Sequence, residues 1–205
     1  MRRLAELIIT RPADAEQMTK LSEGLRALGA PLAAVEPRAK QELFGRRNRV
    51  HEFLDTGAWP APPPDGSQMD FDVASIVGGH LNPGGIGASY FRDGDEAVGR
   101  VTVGRVFEGP PGRVHGGVLC ALFDEVMGSV FRATGTPSAF TGELAVRFVG
   151  PAPVEAELEF RARETRTDGR KRYLEATATG PDGLVATATS TFIDMKPEHL
   201  PTSVL

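Results

Sequence analysis

The chain has 205 residues, 40% of them apolar, and a formal net charge of −4 from 23 Lys and Arg against 27 Asp and Glu. That balance provides one globular core and no basic footprint for nucleic acid. A single cysteine excludes a disulfide framework and fits a reducing compartment. No apolar run approaches the roughly 18 residues of a membrane helix, and the start, MRRLAELIIT, has too short an apolar stretch for a signal peptide. A soluble cytoplasmic protein without a membrane partner is expected.

Residues 1–58 are rich in Ala, Leu, Glu and Arg and predict a helical extension. Asp14 can cap a helix carrying Met18, Leu21, Leu25 and Leu28 on one face, with Gly29 as its end. A second helical stretch is expected from about Pro37 to Leu54. The segment 59–67, WPAPPPDGS, excludes helix and central strand, because proline lacks the amide proton and fixes φ. It predicts a linker over 59–75.

Beyond residue 85 the period becomes two. Strands are expected over 97–106, 140–149, 154–163, 171–179 and 184–194, with the last two joined in a hairpin by the turn at 181–183. VEAELEFRAR alternates, placing Val154, Ala156, Leu158, Phe160 and Ala162 on one face and charges on the other. Between the first and second of these strands lies GGVLCALFDEVMGSVF (116–131), apolar on nearly all sides and therefore a buried helix. One buried helix against an antiparallel sheet is an α+β arrangement. Residues 76–195 form the expected main domain, and 196–205 a tail.

The chemistry concentrates at EGPPGRVHGGVLCALFDEV (108–126). Asp124 and Glu125 sit in the apolar helix, where an ionised carboxylate needs a partner or a cavity. Adjacent helical positions point about 100° apart, so the two cannot serve one pocket equally. His115-Gly116-Gly117 opens the helix, where unpaired amides could polarise a carbonyl oxygen, or where two glycines could simply permit a sharp turn. Leu119, Phe123 and Met127 could line a pocket or pack in the core. The four histidines have no metal-ligand spacing, and no dinucleotide or phosphate-loop motif is present, so no metal or cofactor is expected.

These residues resemble the hotdog-fold acyl-CoA thioesterases of the PaaI-like group. The resemblance covers about 76–195 and rests on Asn82-Pro83, Glu108-Gly-Pro-Pro-Gly112, His115-Gly116-Gly117, Asp124-Glu125 and TGELAVRFVGP (141–151), in that order. It implies a curved antiparallel sheet around one central helix, a CoA thioester as substrate, and a homodimer, often paired into a homotetramer, with the site at the subunit interface. By carry-over Asp124 is the base or nucleophile. Gly116 and Gly117, next to His115, supply amides from the opposite subunit, and Thr141 orients water. Asn82, Arg147, Gly169, Arg170 and Lys171 are the implied substrate-binding positions, the last three at a turn that meets CoA and Arg147 along the same edge. The chain departs from the pattern at Gly128, where some members have Ser or Thr, and at Gly109, where others have Asn. A non-catalytic acyl-CoA-binding module is the alternative; a hydratase lacks the expected Asp and His pair.

Overall fold

The computed structural model describes residues 2–37, 49–69 and 72–195. Helices α1 (Arg2–Thr10), α2 (Ala15–Ala33) and α3 (Arg49–Thr56) come first. Strands β1 (Gln68–Met69), β2 (Ser89–Asp93) and β3 (Glu96–Thr102) follow, then a 3-10 turn at Arg105–Phe107 and the long helix α4 (Gly116–Thr134). Strands β4 (Ala139–Phe148), β5 (Glu157–Asp168), β6 (Lys171–Gly180) and β7 (Gly183–Asp194) complete the chain. The seven strands make one antiparallel sheet in the order β1-β2-β3-β5-β6-β7-β4.

Helix α4 lies across β2, β3, β4, β5 and β6. Its Leu119, Leu122, Phe123, Val126, Met127, Val130 and Phe131 recur at three- and four-residue steps and are all buried. Leu158, Phe160, Ala162, Leu174, Ala176 and Ala178 meet them from the inner face of the sheet. Phe123 packs edge-on against Phe160 at 5.0 Å, and Phe131 against Phe192 at 5.2 Å. Gly135, at φ +69°, stops the helix in the left-handed conformation. The apolar run 116–131 is therefore core, and Leu119, Phe123 and Met127 belong to it rather than to a pocket wall.

Several boundaries differ from the sequence expectation. Helix α2 is capped by Asp14 as expected, through a reciprocal pair with Gln17, but runs through Gly29 and Pro31 to Ala33. Gly29 keeps helical geometry, and Pro31 sits near the end, where its missing amide costs one bond. No residue of α2 is fully buried: Leu21 and Leu25 are half-buried, and Met18 and Leu28 are exposed. Of the helix expected over 37–54, the described part begins at Arg49; residues 38–48 lie outside the described set, as does the tail from 196. The strand expected over 97–106 ends at Thr102, where the chain coils into the 3-10 turn. Glu6 of α1 accepts from the amides of Arg105 (3.0 Å) and Val106 (3.3 Å) at that turn. The alternating run from Val154 becomes strand only at Glu157, because Glu155 takes φ +62°. The proline-rich segment is laid along the β2–β3 hairpin, with Arg92 donating to the Pro63 carbonyl at 2.6 Å. No helix of the described residues is long and apolar enough to cross a membrane.

Candidate active site

Helix α4 carries the site at two heights. At its start His115 is the N-cap, and its Nδ1 accepts from the Gly117 amide at 3.0 Å. That bond uses one of the amides the sequence nominated. Gly116, the first helical residue, has no acceptor within the helix for its N–H. Phe148 of β4 lies over it, 3.3 Å from where a Cβ would stand. Gly109 is fixed by the same corner: a Cβ there would lie 2.9 Å from the His115 Cα.

Eight residues on, or about 12 Å along the axis, Asp124 accepts a hydrogen bond from Thr141 Oγ1 at 2.6 Å. Thr141 owes its inward aim to a register shift. It pairs with Phe192 and Glu143 pairs with Thr191, leaving Gly142 as an extra residue. Counting back by twos from Leu144 and Val146, which pack on the core, would put Thr141 outside. The bulge restores it to the helix side. A Cβ on Gly142 would crowd the Thr191 carbonyl at 3.2 Å, so the smallest residue fits there. Asp124 and Thr141 both line a cleft of about 900 Å³.

Glu125 lines the same cleft but is bound to a different segment. Its carboxylate accepts from Ser75 Oγ, from the Gly78 amide at 2.8 Å and from Tyr90 OH at 2.9 Å. Burial raises its pKa more than these three donors lower it, and nearby Asp72 raises it further. Burial and the Glu125 charge likewise push the Tyr90 phenol up. Gly78 has no room for a side chain, since a Cβ would lie 2.6 Å from the Tyr90 ring. The acidic pair thus splits: Glu125 anchors the loop over 75–78, and Asp124 opens on the cleft beside Thr141.

The implied substrate-binding positions scatter. Asn82 donates through Nδ2 to the Ala74 carbonyl (3.1 Å) and accepts from the Gly84 amide (2.9 Å), shaping its own loop. Arg2 of α1 donates to the Gly79 and Asn82 carbonyls at 3.0 and 3.1 Å. Gly169, at φ +58°, turns β5 into β6, and Arg170 donates to the Asp194 carbonyl at 2.9 Å. Lys171 pairs with Ile193, which pairs with Phe140, so this turn shares the end of the sheet that holds Thr141. Arg147 pairs with Thr187, six residues and roughly 20 Å further along β4. It lines a separate groove with Arg163 and Glu175, so within one chain it does not share an edge with the turn. The sequence reading passed over Arg49 and Arg132, which line the same cleft as Asp124. The positions 124, 128 and 132 repeat at four-residue steps and signal Arg132; Arg49, 75 residues before Asp124 being only a folded neighbour, carries no local signal.

Residues 111–187 match the family model described as the thioesterase superfamily. The acyl-coenzyme A thioesterase THEM4 of Bos taurus is 30% identical over 120 residues, which are 56% of this chain and 49% of that protein. The chain thus spans about half the length of the curated relative it matches. The crystal structure of a thioesterase superfamily protein superposes with a TM-score of 0.70 at 21% identity, covering 94% of this chain and 90% of that one. Sheet order and central helix agree with that superposition: the chain has the hotdog fold, and its residues 111–187 are similar to the thioesterase superfamily model.

Proposed function

We propose that the protein hydrolyses acyl-CoA thioesters, with Asp124 as the base and Thr141 as its orienting partner. The observation that carries this reading is the 2.6 Å bond between them, placed on the wall of an open cleft in a hotdog-fold domain similar to the thioesterase superfamily model. A carboxylate with one oxygen held by a hydroxyl keeps the other for a water molecule. The water oxygen adds to the thioester carbonyl carbon while its proton passes to Asp124. The carbonyl oxygen takes the negative charge and needs donors. On collapse the C–S bond breaks, and the CoA sulfur leaves with the proton that Asp124 returns. The alternative use of Asp124, as nucleophile, passes through a mixed anhydride that water then opens.

The donors come from a second copy in this reading. Gly116 of the same chain is about 12 Å from Asp124 along α4, too far for one carbonyl to touch both. Strand β4 ends the sheet, and Phe140, Phe148 and Val149 at its border are 56%, 53% and 55% exposed. A homodimer would cover that border and bring an opposite helix start, with the Gly116 amide and the His115-linked Gly117, towards Asp124. Pairing of two dimers into a tetramer is part of the same proposal. Arg170 and Lys171, at the Thr141 end of the sheet, suit the phosphates of CoA.

The purified chain should release free thiol from a panel of acyl-CoAs. Asp124→Asn should lower kcat about 10²- to 10⁴-fold, the range general acid–base groups contribute. Saturable CoA-ester binding with no turnover across the panel would instead identify a binding module.

A further inference from the structure

The Asp124 cleft, which Glu52 and Asp72 also line, holds two guanidinium groups that no carboxylate among the described residues contacts directly. Arg132 follows Asp124 by eight residues on α4, with Gly128 midway, so the three share one face of the helix. All three line the cleft, as does Arg49 of α3. Gly128 leaves the floor between Asp124 and Arg132 open, because a Cβ there would meet nothing closer than the Phe192 ring at 4.0 Å. Along the helix axis Asp124 and Arg132 are about 12 Å apart on the wall of this one cleft.

Arg49 is fixed in place by donating to the Thr136 carbonyl at 2.7 Å and by lying over the Trp59 ring at 5.5 Å. The Nε atoms of both Arg49 and Arg132 are buried and have no hydrogen-bond partner. Among the described residues neither guanidinium forms an ion pair with a carboxylate; Glu52, one turn from Arg49, attracts it without a direct bond. Burial and the Arg132 charge pull the Arg49 pKa down to about 10. Two cations that repel each other and carry orphaned buried donors are costly unless an anion joins them. A carboxylate can accept from both forks at once.

We propose that Arg49 and Arg132 receive a second anionic group at the far end of the acyl chain, so that the preferred substrate is the CoA monothioester of a dicarboxylic acid. The inference rests on the hydrolytic reading above and names the substrate class of that site. A phosphate of CoA shares the chemistry but suits the place less well. The nucleotide is bulky and hydrated, whereas these Nε atoms have no solvent contact.

The test compares suberyl-CoA with octanoyl-CoA, equal in chain length and different only in the terminal carboxylate. The wild-type ratio of kcat/KM should favour suberyl-CoA about tenfold or more, chiefly through KM. In Arg132→Met that ratio should fall about tenfold, and in Arg49→Met likewise. The two residues come from different elements, so a folding defect in one variant, seen by thermal melting, leaves the other informative. A wild-type ratio near one, or a ratio unchanged in both variants, overturns the proposal. If no thioester of the acyl-CoA panel, these two included, is cleaved, the hydrolytic reading fails by itself, and calorimetric titration decides on the arginines. Suberate binding that octanoate does not match and that Arg132→Met abolishes supports the site, and no suberate binding overturns it. Binding of CoA alone that disappears in Arg132→Met assigns the pair to a phosphate and also overturns it.

Discussion

Thr141 reaches Asp124 at 2.6 Å because Gly142, the extra residue of β4, is left out of the strand register and so does not turn the hydroxyl to the outer face. Thr141→Val keeps the shape of the side chain and removes the donor. Its kcat should fall about 10²-fold with KM little changed, since a misplaced catalytic group costs about that much. Steady-state kinetics on one acyl-CoA checks it, and an unchanged kcat would leave Asp124 without this partner.

Glu125 should make stability depend on pH. Its folded-state pKa lies above the ordinary 4.5, so the folded protein binds more protons than the unfolded chain above that pH. Stability is fully present below the ordinary Glu range and falls as pH rises through the raised value. Glu125→Gln should flatten that part of the profile in denaturant titrations. Glu125→Ala orphans the donors of Ser75, Gly78 and Tyr90 and should cost about 2–3 kcal/mol at neutral pH.

Helix α1 should stabilise two loops at once. Arg2 binds the carbonyls of 79 and 82, while Glu6 binds the amides of 105 and 106. Glu6→Ala should lower stability by about 1 kcal/mol, as losing a helix cap does. Hydrogen exchange at Arg105 and Val106 should quicken while that of β6 stays the same. Gly104→Ala should act in the same direction, because its Cβ would lie 2.9 Å from the Glu6 carboxylate.

If the amide donors come from a second copy, activity depends on concentration. Specific activity should hold steady at high protein concentration and fall on dilution below the dimer dissociation constant, in step with the mass seen by sedimentation. Activity that persists in a demonstrated monomer would remove the cross-subunit arrangement.

Phe123, with no exposed surface and packed edge-on against Phe160, tests the core. Phe123→Ala should cost about 3–5 kcal/mol in equilibrium unfolding.

The fold was legible where burial is periodic. Leu158, Phe160 and Ala162 alternate, Leu122, Val126 and Val130 recur at helical steps, and both patterns state which face is inside. What escaped was set by contacts between distant segments. The five residues of β2 are too short and too polar to stand out, and Glu155 breaks its strand through a positive φ that no neighbour announces. In the site, Asp124 was legible as a carboxylate in an apolar helix. That Glu125 is the one tied down depends on Ser75, Gly78 and Tyr90, between 35 and 50 residues away. Arg49 beside Arg132 is likewise a meeting made by the fold alone.

The extra residue at 142 works as slack in the ladder. The flanks on either side, Thr141 opposite Phe192 and Glu143 opposite Thr191, are already in consecutive register, so dropping Gly142 would leave both rows where they are. Chains related to this one can therefore differ in length by one residue at that point while still presenting the same hydroxyl. An alignment that opens its gap elsewhere in the strand would set the wrong side chain against Thr141.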